Sequence, residues 1–254
     1  MDGINKNAIK GEFGNKIGRL TKSGAYLDYC EEVYGYRIYL FNMMDKVQLD
    51  FIMNSMPVSS DDVILDLGCG SGSILKLLVT KYGCRGVGVD RLDDKLLDMG
   101  EKNIAYINGD IDAFASFGVE PTVTLSIDSL YFSDDPDGLI RQLSGIKNNR
   151  LYLFYSQYLF DEASADRRIL NCEQTKIAEI LRRNAIRFSA VDYSENERAL
   201  YRNSIQALQK RKPAFEKEGN ADLFQNKLRE DLMGMDLYEK GLARRYLYIV
   251  EGVR

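Results

Sequence analysis

The stretch Val63-Ile64-Leu65-Asp66-Leu67-Gly68-Cys69-Gly70-Ser71-Gly72-Ser73 decides the fold. An apolar run ends in an acid, crosses a glycine-rich turn and enters the Ile- and Leu-rich segment that follows, which reads as strand, loop, helix. Such a strand brings the backbone to the carboxyl edge of a parallel sheet. The glycines let it turn sharply with no side chain between backbone and ligand. A second short run, Gly86-Val87-Gly88-Val89, ends at Asp90. That distance suits a carboxylate gripping two ribose hydroxyls, so an adenosine-containing ligand is implied at this edge.

The loop narrows the ligand further. A dinucleotide loop reads G-x-G-x-x-G, with the third glycine packing helix on strand. Here that position is Ser73, and the third glycine comes one residue early, at Gly72. A Walker loop needs a Lys-Ser/Thr pair after its glycines, whereas Lys76 comes late and is followed by Leu77. No Lys or Arg lies in the loop to meet a diphosphate, and Asp66 precedes it.

D-L-G-C-G-S-G resembles motif I of the class I S-adenosylmethionine-dependent methyltransferases, well over residues 60–155 and loosely over the whole chain. Their ligand carries an amino acid end, a sulfonium and an adenosine, and no phosphate. The resemblance implies that the Gly68, Cys69 and Gly70 backbone meets the methionine portion of S-adenosyl-L-methionine, with S-adenosyl-L-homocysteine as product. It implies that Asp66 helps hold the ammonium, Asp90 the ribose, and Arg91 a flank of the adenine. Ile107-Asn108-Gly109-Asp110-Ile111 matches the third-strand acid, so Asp110 and the Ile111 backbone face the adenine amino group. Val123 through Tyr131 matches the fourth strand and its loop, with Ser126 and Ile127 lining the methionine end.

Composition bounds the rest. A chain of 254 residues with 45% hydrophobic content suits one α/β domain with additions. A formal net charge of −4 gives no global basic field, so nucleic acid is not an expected partner. Four scattered cysteines (Cys30, Cys69, Cys84, Cys172) form neither a zinc pattern nor a disulfide framework, which fits free thiols and a cytoplasmic setting. The first residues are polar and glycine-rich and lack the apolar stretch of a signal peptide, and no membrane span is expected. The chain contains no histidine. A Ser-His-Asp hydrolase and a histidine-bound metal are therefore excluded, and proton transfer falls to carboxylate, tyrosine, lysine or water.

The pattern predicts a Rossmann-like, seven-stranded, mostly parallel sheet. Strands are expected near 63–67, 85–90, 103–108, 121–127, 150–156 and 186–192, with helices near 72–82, 92–101, 136–147 and 165–184. Residues 1–22 read as a loosely packed leader, and 23–56 as helical, with Leu40, Met44, Val47 and Phe51 on one face and Pro57 ending the segment. Residues 195–242 read as two or three amphipathic helices punctuated by Pro213 and Gly219-Asn220. The β-rich Tyr246–Val250 closes the chain, and the resemblance places it antiparallel between strands five and six. The organisation expected is thus a lid over 1–56, a core over 57–194 and 243–254, and an insert over 195–242 on the substrate side. A packing lobe or a homodimer contact is the open alternative for the insert.

The chain lacks an appended basic domain, and Ile127-Asp128-Ser129-Leu130 is not the N-P-P-Y type used on base amines. A small-molecule methyl acceptor, an amine first, is expected. Tyr26, Tyr29, Tyr34, Tyr36 and Tyr39 crowd one segment, similar to the lid of the phosphoethanolamine, sarcosine and dimethylglycine enzymes and the cyclopropane synthases. Tyr26 is expected at the reacting centre and Tyr34 at the acceptor, with amphipathic packing as the alternative. For a hydroxyl or carbon acceptor, Asp128 or Tyr131 is the candidate base, Tyr131 also touching substrate; Asp128 can instead only position its loop. Methylation of RNA or protein beside Lys210-Arg211-Lys212, and a non-catalytic S-adenosylmethionine-binding partner protein, are the rival readings.

Overall fold

The computed structural model describes residues 14–92, 102–161 and 166–252. Seven strands form one sheet: β1 (Val63–Leu67), β2 (Arg85–Asp90), β3 (Ile104–Asn108), β4 (Val123–Ile127), β5 (Arg150–Tyr158), β6 (Phe188–Asp192) and β7 (Ala243–Val250). Their order is β3-β2-β1-β4-β5-β7-β6. All neighbours are parallel except β7, which runs antiparallel to both β5 and β6. The sequence-predicted strands are all present, and the last begins three residues earlier than Tyr246.

Alternation along β1 builds two cores. Ile64 faces a cluster with Leu125, Tyr152 and Phe154, while Leu65 and Leu67 face the opposite cluster with Leu151 and Leu153. Asp66 shares the face of Ile64 and is itself buried. Helices α5 (Pro136–Gly145) and α6 (Lys176–Arg183) cover the Leu65 face. The other face carries α1 (14–20), α2 (Gly24–Tyr34), α3 (Lys46–Asn54), α4 (Ser73–Tyr82), α7 (Ser194–Lys217) and α8 (Ala221–Glu239).

Local chemistry corrects expectations over three segments. The described part of the leader is a packed helix: Ile17 and Leu20 are buried, and Arg19 forks onto Asp222 at 2.7 and 2.8 Å. Residues 23–56 form two helices, because Gly35 takes a left-handed φ of 76° and closes α2, and Asp45 caps α3 by accepting from the Gln48 N–H. Leu40 and Met44 are therefore buried by a loop, and Val47 points to solvent. The predicted helix over 165–184 is a short 3₁₀ turn, Arg167–Leu170, followed by α6, whose start is set by the Thr175 cap on Ala178. The helix expected near 92–101 lies almost wholly outside the described residues.

Pro213 sits inside α7 rather than ending it. The lost backbone hydrogen bond is offset by packing beyond it, where Phe215 is buried against Phe224 with ring centroids 6.1 Å apart. α7 and α8 approach so closely that a Cβ on Gly234 would enter the Tyr201 ring. Lys210 and Arg211 both pair with Glu32 on α2, and Lys212 reaches Glu216, so the basic run braces the helices.

Candidate functional site

The turn after β1 is built on backbone. Gly68 N–H and Cys69 N–H both donate to Val89 O, at 2.7 and 3.1 Å, and Gly72 N–H closes the turn on Cys69 O at 2.9 Å. Gly68 has φ +72°, and a Cβ there would collide with Ser129. The Ser129 hydroxyl donates to Leu67 O at 2.5 Å and shares a 2.7 Å hydrogen bond with Ser126, which fastens the loop after β4 to the glycine turn.

Three carboxylates lie along the edges of β1, β2 and β3. Asp90 accepts Gly70 N–H on one oxygen at 2.8 Å and Leu92 N–H on the other at 3.1 Å. A carboxylate offers about four lone-pair sites, so two remain for ligand hydroxyls. Burial raises the Asp90 pKa, and its backbone donors oppose that. Asp110 pairs with the Arg91 guanidinium, and its other oxygen caps the following 3₁₀ turn, which begins at Ile111. Ile127 is buried at the end of β4, beside the Asp128 loop.

Asp66 differs from both. It is 3% exposed, and no donor among the described residues reaches it. Burial first, and the nearby Asp90 charge second, push its pKa up to about 7. A buried acid in this condition is relieved by a cation. The residues therefore fit a ligand with an ammonium beside β1, an adenosine at Asp90 and no phosphate.

A roof lies over this edge. Ile17 of α1 packs on Leu92, with Phe41, Cys69 and Tyr106 around them, and the Phe41 ring would be 3.9 Å from a Cβ on Gly70. The loop carrying Phe41 is held at three points. The Tyr26 hydroxyl donates to Leu40 O, the Tyr34 hydroxyl donates to Asn42 O at 3.2 Å, and Met43 N–H donates to Asp128 at 2.8 Å. Tyr26 stacks on Tyr29 and Phe41 at 5.3 and 5.5 Å and lines a cavity of about 210 Å³ between this loop, α1, α7 and α8. Tyr34 is buried and does not line that cavity. A second cavity of about 180 Å³ shares Met43, Lys227 and Glu230 with the first and reaches Tyr158 and Tyr201.

The sequence-predicted residues thus fall into two sets. Asp66, the glycine turn, Asp90, Arg91, Asp110, Ile111, Ser126 and Ile127 gather at one sheet edge. Tyr26, Tyr34 and Asp128 brace the roof loop, and the Tyr131 hydroxyl is taken by the Ser156 backbone, from whose N–H it accepts at 2.6 Å. Sequence reasoning missed Arg245, Gln48 and Glu197, all fully buried. Arg245 donates to Gln48 at 2.7 Å, to Ser156 at 2.9 Å and twice to Asp128. The available signal was the pair Arg244-Arg245 at the head of the otherwise apolar strand Ala243–Val250. Among the described residues no acidic, cysteine or histidine cluster could hold a metal, and no helix is long and apolar enough to cross a membrane.

Comparison with known proteins bears on the fold. The family model of the methionine biosynthesis protein MetW matches residues 47–120, less than a third of the chain. No curated protein sequence matches. Among solved structures, phosphoethanolamine N-methyltransferase 2 of Haemonchus contortus, in complex with phosphomonomethylethanolamine and S-adenosylhomocysteine, aligns with TM-score 0.72 at 12% identity over 95% of this chain. This chain spans 60% of that enzyme's length. The cyclopropane synthase MmaA2 of Mycobacterium tuberculosis aligns with TM-score 0.67 at 12% identity, over 92% of this chain and 98% of its own. The [4+2]-cyclase SpnF aligns with TM-score 0.59 at 16% identity, over 80% of this chain and 79% of its own. In strand order, antiparallel last strand and glycine turn, the chain has the Rossmann-like fold of the class I S-adenosylmethionine-dependent methyltransferases.

Proposed function

We propose that the chain is an S-adenosyl-L-methionine-dependent methyltransferase whose acceptor is a small molecule, an amine being the first class to test. The observation that carries the reading is Asp66, a buried acid without a donor, beside a glycine turn that carries no lysine or arginine. A dinucleotide would bring more negative charge to that acid, whereas the amino acid end of S-adenosyl-L-methionine brings the missing cation. When bound, that cofactor supplies a methyl group on a sulfonium leaving group.

The chain's own residues bind, orient and exclude water. Asp90 is pre-set for ribose hydroxyls by its two backbone donors, and the Asp110–Arg91 pair flanks the position of the adenine. Residues 41–43, braced by Tyr26, Tyr34 and Asp128, form the inner surface of a lid, and α7 with α8 forms the far wall of the acceptor space. Alignment and desolvation in such a closed space can carry most of the barrier reduction for an activated methyl donor. Lys210 and Arg211 are engaged in ion pairs with Glu32 between α7 and α2, a bracing role for the basic run that favours the small acceptor over RNA.

The test is calorimetric titration with S-adenosylhomocysteine, then mass spectrometry for its production. Purified protein and S-adenosylmethionine are offered the small-molecule, RNA and protein fractions of a cell extract. Binding with turnover on the small-molecule fraction supports the reading. Turnover on a polymer fraction alone overturns the acceptor class, and absence of binding overturns the cofactor.

A further inference from the structure

The chain contains no histidine, yet a methyl acceptor that carries a proton must lose it. Among the described residues two buried carboxylates reach the acceptor space: Asp231 lines the second cavity but is held by Lys227 and Ser204, whereas Glu197 is reached through a hydrogen-bonded path. Tyr201 of α7 and Tyr158 of β5 line the second cavity, with their hydroxyls 3.0 Å apart. Tyr158 donates in turn to Glu197 at 2.9 Å. Glu197 lies near the start of α7 and is 0% exposed. It also accepts from Ser156 at 2.8 Å and from the Tyr238 hydroxyl of α8.

The charge around Glu197 does not balance. Arg245 of β7 comes within 3.6 Å of Glu197, but two of its hydrogen bonds go to Asp128, at 2.6 and 3.1 Å. One guanidinium thus faces two acids, and the second acid lacks a counter-charge of its own. The titratable and charged groups facing Glu197 are Arg245 from β7, Asp128 and Tyr131 from the β4 loop, Tyr158 from β5, Tyr238 from α8, and Tyr201 from its own helix.

We propose, on the methyltransferase reading above, that Glu197 is the proton sink of the acceptor site, reached through Tyr158 and Tyr201, and that the acceptor is a compound whose methylated atom carries a proton, a hydroxyl or a protonated amine. Glu197 acts through the two tyrosines and does not touch the acceptor. The bond from the acceptor atom to the methyl carbon forms as the sulfur–methyl bond breaks, and the electron pair of that bond stays on sulfur. The acceptor's proton passes to the Tyr201 oxygen, the Tyr201 proton to Tyr158, and the Tyr158 proton to Glu197; for a protonated amine this transfer comes first and frees the lone pair that forms the new bond, and for a hydroxyl it accompanies bond formation. The proton returns along the same path once product has left. Both tyrosines end neutral, as burial requires, since desolvation holds their pKa values far above the ordinary range. Burial likewise raises the Glu197 pKa against the pull of Arg245, so that Glu197 accepts a proton more readily than an exposed glutamate does.

Two measurements on the full chain test this. The first is infrared titration of the protein without ligand, following the carbonyl stretch of protonated carboxyl groups in wild type, Glu197→Gln and Asp66→Asn. The expected result is a band that titrates above the ordinary glutamate range, persists in Asp66→Asn and is lost in Glu197→Gln. The second is the pH profile of S-adenosylhomocysteine formation from the small-molecule extract fraction in wild type, Glu197→Gln and Tyr201→Phe. Both variants are expected to lose at least tenfold and to lose the limb that follows the infrared band, with S-adenosylhomocysteine affinity unchanged. Wild-type turnover and profile in Glu197→Gln, or no infrared band assignable to Glu197, overturns the relay while leaving the methyltransferase reading intact. An infrared band in a protein that turns over no fraction assigns Glu197 to the fold alone and overturns the relay. Failure to bind S-adenosylhomocysteine is the separate failure of the cofactor reading. Should Glu197→Gln not fold, Tyr201→Phe, which removes one hydroxyl, decides by the same profile.

Discussion

The Arg245 guanidinium grips the Asp128 carboxylate with two hydrogen bonds, at 2.6 and 3.1 Å, below the roof loop. Asp128 in turn accepts Met43 N–H at 2.8 Å and sits at a φ of 54°, a left-handed backbone uncommon outside glycine though tolerated by aspartate. Arg245 also reaches Gln48 on α3 and Ser156 on β5. One strand residue therefore joins α3, the loop after β4, β5 and, through Glu197 at 3.6 Å, α7.

Removing that guanidinium leaves Asp128 and Glu197 facing each other without a cation. Arg245→Met is expected to cost about 3–5 kcal/mol, the range for breaking a buried pair from one side. Urea denaturation measures it. Hydrogen exchange at Met43 should also accelerate relative to the sheet, and a variant with wild-type stability would show that Arg245 braces nothing.

Asp66 predicts a pH dependence for the cofactor. Its pKa stands near 7 in the folded chain against 3.8 in a free carboxylate. The sign follows: the folded state prefers the protonated form, so the ligand-free fold loses stability as pH rises from about 4 to about 7. A bound cation reverses the preference, so S-adenosylhomocysteine binding should release a proton and strengthen roughly tenfold between pH 5.5 and 7. Calorimetry in buffers of different ionisation enthalpy reads the proton directly. Asp66→Asn should bind more weakly at pH 7 and show no such slope.

Asp90 carries two duties, orienting the glycine turn through Gly70 and offering its remaining lone pairs. Asp90→Ala should weaken S-adenosylhomocysteine binding by roughly ten- to a hundredfold, the loss of a charge-assisted hydrogen bond of about 1.5–3 kcal/mol. Unchanged affinity would remove Asp90 from the site.

The part of this molecule legible in sequence is the part written locally. β1, the glycine turn and Asp90 follow from composition over a few residues, and the strand–helix alternation gives the sheet. The break within residues 23–56 is not legible because Leu40, Met44, Val47 and Phe51 fall at helical spacing by coincidence, while Gly35 and Asp45 hold the stronger local instructions. The buried hub was illegible because its members lie far apart in the chain. Gln48, Asp128, Glu197 and Arg245 meet only once β7 has inserted between β5 and β6. No local pattern announces a contact between positions 48 and 245.

Tyr131 separates hydroxyls that hold the fold from hydroxyls that reach the acceptor space. Its hydroxyl accepts Ser156 N–H at 2.6 Å and donates to Ser156 O at 3.2 Å, and its ring packs tilted against Tyr155 with centroids 4.8 Å apart. The Tyr131 ring is partly exposed, but desolvation of its hydroxyl against the Ser156 backbone keeps its pKa well above the ordinary range. A hydroxyl committed to backbone on both sides is poorly placed to take a proton from an acceptor. Tyr131→Phe should cost about 1 kcal/mol of stability. Turnover should fall by less than about tenfold, against the 10²–10⁴ typical of a group that moves a proton in the transition state. A loss of that larger size, with S-adenosylhomocysteine affinity unchanged, would return Tyr131 to the reacting centre and take the proton path away from Tyr158 and Tyr201.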